Sequence, residues 1–386
     1  MSLFSKRASA DESQIPPRPE ARRGTAVVTN DTALRHSAVW ACLRLRANLI
    51  STMPVDVYRR RNGVQLEVPK PPMLVNPGGE RVGMLEWLYS TQVDLDRGGN
   101  CFGLITAKTA LGLPARIDLV PLAEVSVIIR KGELTKYRIA GVEYDPSEVW
   151  HERQYTVAGL HVGLSPVAYA AWSIGEYLSI QDFALDWFAG GAIPAAHLKN
   201  TAKTLTAPQA DETKRRFKAS VANGDVFVTG SDWEYNMLQA EQAGSDWIEG
   251  KQYGIADIAR FFDCPGDLID AAVSTGNITY ASITQRNLEF LVLHLGPAVV
   301  RRETALTQLT PRPQFVKLNA ASLLRMDPAA RATTFKTQIE ARMLTPNEAR
   351  ELEDRPPLTP EQIAEFERLF GSPRTSPTTA TSGATP

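Results

Sequence analysis

The chain has 386 residues, 43% hydrophobic and 22% charged, a globular composition with length for two or three domains. Its 42 basic and 43 acidic residues leave a formal net charge of −1. That excludes the Lys/Arg excess of a protein that clamps duplex DNA through its phosphates, but not a surface past which DNA slides. Cys42, Cys101 and Cys264 are far apart, in apolar contexts and without a CxxC pair, so they read as buried free thiols rather than a zinc ribbon or redox pair. Met1 to Glu20 is polar and contains proline, unlike a secretory leader, and no apolar run reaches spanning length. A soluble protein of a reducing compartment is expected.

Residues 1–30, rich in Ser, Pro, Arg and Ala without apolar period, read as a disordered arm, and 371–386 as a disordered tail. A helix is predicted over about Thr32 to Thr52, where Val39, Cys42, Leu45, Leu49 and Met53 recur three or four apart. Pro54 stops it, and Val55-Asp56-Val57-Tyr58 alternates like a strand. The basic run Tyr58-Arg59-Arg60-Arg61 leads into Asn62-Gly63, which makes it a charged hairpin tip rather than a nucleic-acid contact. A helix over 84–97 is broken by Gly98-Gly99-Asn100 before a strand from Cys101 to Ala107. Short strands follow near 115–120, 124–130, 136–139 and 148–152, giving an α+β domain with an antiparallel sheet.

Ser165-Pro166 pairs a hydroxyl cap with a first-turn proline and starts a helix running to about Phe188. Tyr177, Ile180, Ala184, Trp187 and Phe188 form its packing stripe, and Gly190-Gly191 ends it. A small unit follows: a strand from Ala195 to Leu198, a helix begun by Thr206 with Gln209 as its capping partner, and strands at Asp225 to Val228 and Trp233 to Leu238. A second long helix spans Ser245 to Phe262 and stops at Cys264-Pro265-Gly266, before a loop marked by Ser274-Thr275-Gly276-Asn277. The helix Ala281 to Leu309 contains Gly296-Pro297, where a kink is expected, and a strand Gln314 to Leu318 comes next. Asp327-Pro328, Thr345-Pro346 with Glu348 and Thr359-Pro360 with Gln362 mark three short capped helices.

Signatures of catalysis are missing. The stretch Gly78 to Met84 lacks the lysine of a phosphate-binding loop and reads as a surface turn. Asp94 and Asp96 point about 200° apart on a helix and cannot share an ion, so they read as a solvated helix end. None of His36, His151, His161, His197 and His294 lies four residues from another or beside a cysteine. His151, in His151-Glu152-Arg153, reads as a hydrogen-bonded structural histidine, because no nucleophile motif accompanies it. Asn277-Ile278-Thr279 matches a glycosylation sequon that a chain without a leader would not use. No enzyme, cofactor or metal is expected.

Six segments, in order over about residues 33 to 360, resemble portal proteins of long, non-contractile-tailed bacteriophages. Ser37-Ala38-Val39-Trp40-Ala41-Cys42-Leu43-Arg44, continuing to Met53-Pro54-Val55-Asp56-Val57-Tyr58-Arg59, is similar to the family's opening helix and strand. Gly99-Asn100-Cys101-Phe102 stands where the family usually has Gly-Asn-Ala-Tyr, and Leu119-Val120-Pro121-Leu122 with Val125 resembles another of its strand starts. Gly163-Leu164-Ser165-Pro166 shares the family's Gly-x-Ser-Pro, and Phe188-Ala189-Gly190-Gly191-Ala192-Ile193-Pro194 its helix end, with Gly190 where Asn is common. Ile258 to Pro265, and Leu344-Thr345-Pro346-Asn347-Glu348-Ala349-Arg350 followed by Pro356-Pro357, complete the set.

The resemblance implies a portal fold: a wing from 31–164 with the kinked helix and strand of 281–320, a two-helix stem at 165–190 and 244–264, an α/β clip at 191–243, and a helical crown at 321–370. It makes 265–280 a tunnel loop, with Val273, Ser274, Thr275, Gly276, Asn277, Ile278 and Thr279 as candidates to approach DNA. It also implies a homo-oligomeric ring, a dodecamer, at one capsid vertex, with no membrane. Its partners would be the major capsid protein, the large terminase subunit, a head–tail adaptor, and double-stranded DNA passing without sequence specificity. The chain would sit in the virion, and in the host cytoplasm during assembly, serving genome packaging and ejection. Stem helices side by side around an axis bury their stripes in contacts that close by rotation, and near-neutral charge suits sliding DNA. The alternatives are a head-completion adaptor without a channel, against which the two long helices argue, and a metal-dependent nucleic-acid enzyme, which would need clustered carboxylates.

Overall fold

The computed structural model describes residues 12–13, 27–189, 196–222, 227–228, 231–237, 253–269, 280–320, 328–353 and 355–371. They fall in two units, Met1–Asn319 and Ala320–Pro386. Inside the arm expected to be disordered, Glu12–Ser13 forms a short strand, β1. The helix expected over Thr32 to Thr52 is split into a 3-10 turn at Thr32–Arg35 and helix α1 (Ser37–Ser51). The cause is local: His36 is extended and its Nδ1 accepts from the Ala38 N–H at 3.2 Å, so it caps a new helix instead of continuing the turn.

Strands β2 (Val55–Arg61) and β3 (Val64–Glu67) form the hairpin read from Asn62-Gly63, whose φ values of 52° and 82° are those a tight hairpin turn demands. Helix α2 (Met84–Gly98) follows, then β4 (Asn100–Lys108), β5 (Pro114–Val120), β6 (Val125–Arg130), β7 (Glu133–Ile139), β8 (Val142–Tyr144) and β9 (Val149–Arg153). They build two antiparallel sheets, β5-β4-β9 and β1-β6-β7-β8. Alternate residues of both, including Phe102, Val120, Val127, Ile129, Tyr137 and Val149, share one apolar core.

Ser165 caps the helix where expected, but the single helix read to about Phe188 is divided at Ala170 into one turn, α3 (Pro166–Tyr169), and α4 (Ala171–Ala189). Strand β10 (Ala196–Asn200), helix α5 (Ala207–Ala222) and strand β11 (Trp233–Met237) follow, with β10 and β11 paired antiparallel. Of the strand expected at Asp225 to Val228, Phe227 and Val228 are described and lie in no strand, while Asp225 and Val226 lie outside the described residues. Of the second long helix, residues 253–261 are described and helical (α6).

Helix α7 (Tyr280–Glu289) passes through a π-helical stretch, Phe290–Leu295, into α8 (Gly296–Thr307). Where a kink was expected at Gly296-Pro297, the turn before it is widened. Pro297 has no N–H to donate back and its ring crowds the carbonyl four residues earlier. Strand β12 (Gln314–Leu318) then pairs with β2, so this late segment completes an early sheet. In the second unit, α9 (Pro328–Glu340), α10 (Pro346–Glu351) and α11 (Pro360–Phe370) begin beside the predicted prolines. Thr345 with Glu348 and Thr359 with Gln362 form reciprocal capping boxes, while Asp327 lies outside the described residues.

Candidate functional site

Helix α4 changes character along its length. At its root, Ile174 and Leu178 are buried four residues apart, with Val167 and Ala170 ahead of them, in one core with Val39, Cys42 and Leu43 of α1 and Ile258 of α6. Ser173 Oγ donates to Asp257 on α6, tying the two helices. The His36 ring stacks on Tyr177 at 3.8 Å between centroids. Further on, Leu185 continues the face of Ile174 and Leu178 yet is 64% exposed, and Phe183 is 67% exposed. Among the described residues of α4, the buried core face ends at Leu178.

Just ahead of the root lies a junction between two of the motif segments. Gly99 ends α2 with φ +71°, and a Cβ there would stand 2.0 Å from the Leu164 carbonyl oxygen. A Cβ on Gly163 would stand 2.1 Å from the Gly99 oxygen and 2.2 Å from the Gln154 oxygen. Both positions require glycine, because backbone meets backbone. Asn100, buried, uses its whole amide: Nδ2 donates to the carbonyls of Gly98 (2.9 Å) and Gly163 (3.0 Å), and Oδ1 accepts from the Gly163 N–H (2.7 Å) and from His151 Nε2 (3.1 Å). That assignment leaves His151 Nδ1 to accept from the Tyr137 hydroxyl at 3.0 Å. Burial pushes the His151 pKa down to about 3, so the ring is a neutral, structural histidine. Ser165 Oγ donates to the Arg97 carbonyl (2.8 Å) while accepting from the Ala168 N–H (3.2 Å).

Two buried ion pairs stand behind this junction. Arg46 bonds both oxygens of Asp96, and Gln154 Nε2 donates to Asp96 Oδ1 at 3.0 Å. Asp96 is therefore no solvated helix end, as the sequence suggested, but is buried against Arg46 of α1 and Gln154, the residue after β9. Arg46 Nη1 also donates to the carbonyls of Asp263 and His294, each at 3.4 Å. Arg302 holds Glu152 at 2.5 Å and the Thr91 hydroxyl at 2.6 Å. Burial raises the Glu152 pKa and Arg302 opposes that rise. The three cysteines are free and buried, and the Cys42 and Cys264 thiols meet in the core beneath α4.

Of the predicted stripe, Tyr177 packs on His36 within its own chain, and Ile180 and Ala184 are half-buried. Trp187 and Phe188 belong to α4, but their side chains lie outside the described residues, as do all seven tunnel-loop candidates from Val273 to Thr279. Phe183 and Trp172, both exposed, were missed; a helical wheel centred on Ile174 would have placed them on the far side. The pairs Arg46–Asp96 and Arg302–Glu152 join residues remote in sequence and leave no local signal. Among the described residues, no three His, Cys, Asp or Glu side chains gather around a point that could hold a metal ion.

A family model described as phage portal protein matches residues 37–354. The portal protein of Enterobacteria phage HK97 is 27% identical over 361 residues, covering 88% of this chain and 84% of that protein. A probable portal protein of Streptomyces phage phiC31 is 28% identical over 367 residues, covering 89% and 79%. In structure, an HK97-family phage portal protein from Corynebacterium diphtheriae superimposes with a TM-score of 0.59 at 20% identity, over 78% of this chain and 100% of that one. A chain from the neck of a native gene transfer agent particle, computed with C12 symmetry, gives 0.57 at 16% identity over 86% and 96%.

Proposed function

Because this chain belongs to the phage portal protein family, we propose that twelve copies close into a ring at one capsid vertex, around a channel that double-stranded DNA crosses on packaging and ejection. The observation that carries the ring is the mismatch on α4, whose apolar face runs from the buried Leu178 to an exposed Leu185 among the described residues. A neighbouring copy standing alongside covers that face, and the contact, made between unlike surfaces, repeats until rotation closes it. The C12 symmetry of the gene transfer agent neck supports the number.

Helix α4 carries Glu176, Asp182 and Asp186 and no lysine or arginine. Repeated around a bore, such helices offer phosphates no clamp, which suits DNA that must keep moving. In this reading α4 and α6 are the stem, and β10, α5 and β11 belong to the clip, where the large terminase subunit and then a head–tail adaptor dock. Residues 265–280 are the tunnel loop, with Val273 to Thr279 toward DNA; 31–164 and 281–320 are the wing within the shell of major capsid protein; and 321–370 are the crown. The ring assembles in the host cytoplasm, becomes part of the virion, and works by geometry rather than by breaking bonds.

Mass photometry and negative-stain microscopy test this. Twelve copies of 42.4 kDa give particles of about 500 kDa with a central hole. A chain that stays monomeric at high concentration overturns the reading.

A further inference from the structure

We infer that Asn100 and Ser165, with Gly99 and Gly163, are positioning residues that set the angle at which the stem helix leaves the wing, and through it the copy number and bore of the ring. The inference rests on the ring reading above and locates where that ring's geometry is written.

The junction fixes direction rather than merely adding contact. Asn100 grips both the N–H and the C=O of Gly163, which belong to the two peptide units on either side of that residue, so its backbone torsions are held from both ends. Gly99 and Gly163 bring bare backbone into contact, where no flexible side chain can take up slack. The Gln154 N–H donates to the Gly99 carbonyl at 2.8 Å, so β9 enters the same knot. Ser165 then ties the first turn of α3 to the last turn of α2 through one oxygen. From Gly163 to Ala168 the chain is referenced to α2 and β4, and α4 starts three residues later.

The lever makes this tolerance matter. Nineteen residues of α4 span about 28 Å, so a tilt of about 5° at the root moves the tip by roughly 2.5 Å. Successive copies turn by about 30° in a ring of twelve and about 28° in a ring of thirteen, so an error of about 2° per copy changes the count. Apolar packing of Ile174 and Leu178 is non-directional and does not hold an angle that tightly, whereas hydrogen bonds and hard backbone contacts do.

Substitution at Ser165 separates positioning from stability. Ser165→Asp keeps the helix cap but has no proton for the Arg97 carbonyl, while Ser165→Thr keeps both bonds. Asn100→Asp keeps the acceptor toward the Gly163 N–H and loses both donations, and serves as a second variant if one does not fold. Each purified full-length protein is checked by circular dichroism, its copy number is counted by native mass spectrometry, and its bore is measured by electron microscopy. Wild type and Ser165→Thr are expected to show one dominant ring, and a folded Ser165→Asp or Asn100→Asp to spread over two or more copy numbers or open arcs. A folded Ser165→Asp with the wild-type count and bore overturns the inference and leaves the ring reading standing, as does a Ser165→Thr protein that spreads like Ser165→Asp. A wild type that forms no ring overturns both.

Discussion

The root and the tip of α4 are built from the same residue types and have opposite surroundings. At the root, an aliphatic residue every fourth position finds α1 and α6, and Ser173 and Tyr177 add directed contacts to Asp257 and His36. At the tip, Phe183 and Leu185 continue the apolar character into solvent. In the proposed ring one helix would serve two bodies, its own subunit holding the first turns and a neighbouring copy the later ones. Amphipathicity reports how much apolar surface a helix carries, not which molecule will cover it.

Four changes bear on that contrast. The largest effect is expected at Arg46, whose removal leaves Asp96 buried without its cation: Arg46→Ala should cost about 3–5 kcal/mol in urea unfolding of the monomer, and a loss under about 1 kcal/mol would show that the root does not depend on this pair. Ile174→Ala removes a fully buried side chain from the root and should cost about 2–4 kcal/mol by the same measurement.

Acid should loosen the root as well. Burial lowers the His36 pKa to about 4, so below about 6.5 the unfolded chain takes up a proton that the native state refuses. Stability therefore falls as pH drops from about 6.5 to about 4, by up to about 1.4 kcal/mol per unit, and His151 adds to the loss over the same window and on down to about 3. Melting temperatures across that range check this, and His36→Gln should flatten the slope. The smallest effect on the monomer is expected at the tip. Leu185→Ser should shift monomer unfolding by no more than about 0.5 kcal/mol, yet reduce the ring fraction in mass photometry. A large monomer effect would erase the distinction between root and tip.

Much of this was legible in the sequence, wherever the cause was local. The capping boxes at Thr345 and Thr359, the Asn62-Gly63 hairpin and the Ser165-Pro166 start need only neighbours within a few residues, and each stands as read. His36 shows the limit, since a histidine cap inside an apolar period gave no warning that the first helix would split. Asp96 was misread because a helical wheel tells which way a side chain points but not what covers it, and its cover comes from residues 50 and 58 positions away. The Gly-Asn and Gly-x-Ser-Pro segments were legible as a resemblance only; that they clasp one another across 63 residues is visible in three dimensions alone. The tunnel-loop candidates were implied by the resemblance and lie outside the described residues.

Arg46 joins two places far apart along the chain, the carbonyls of Asp263 and His294, and the Asp263 carboxylate meets the His294 ring at 2.6 Å. A single side chain of the first helix thus fastens both the end of α6 and the π-helical stretch before α8. Removing that one guanidinium would release both carbonyls together.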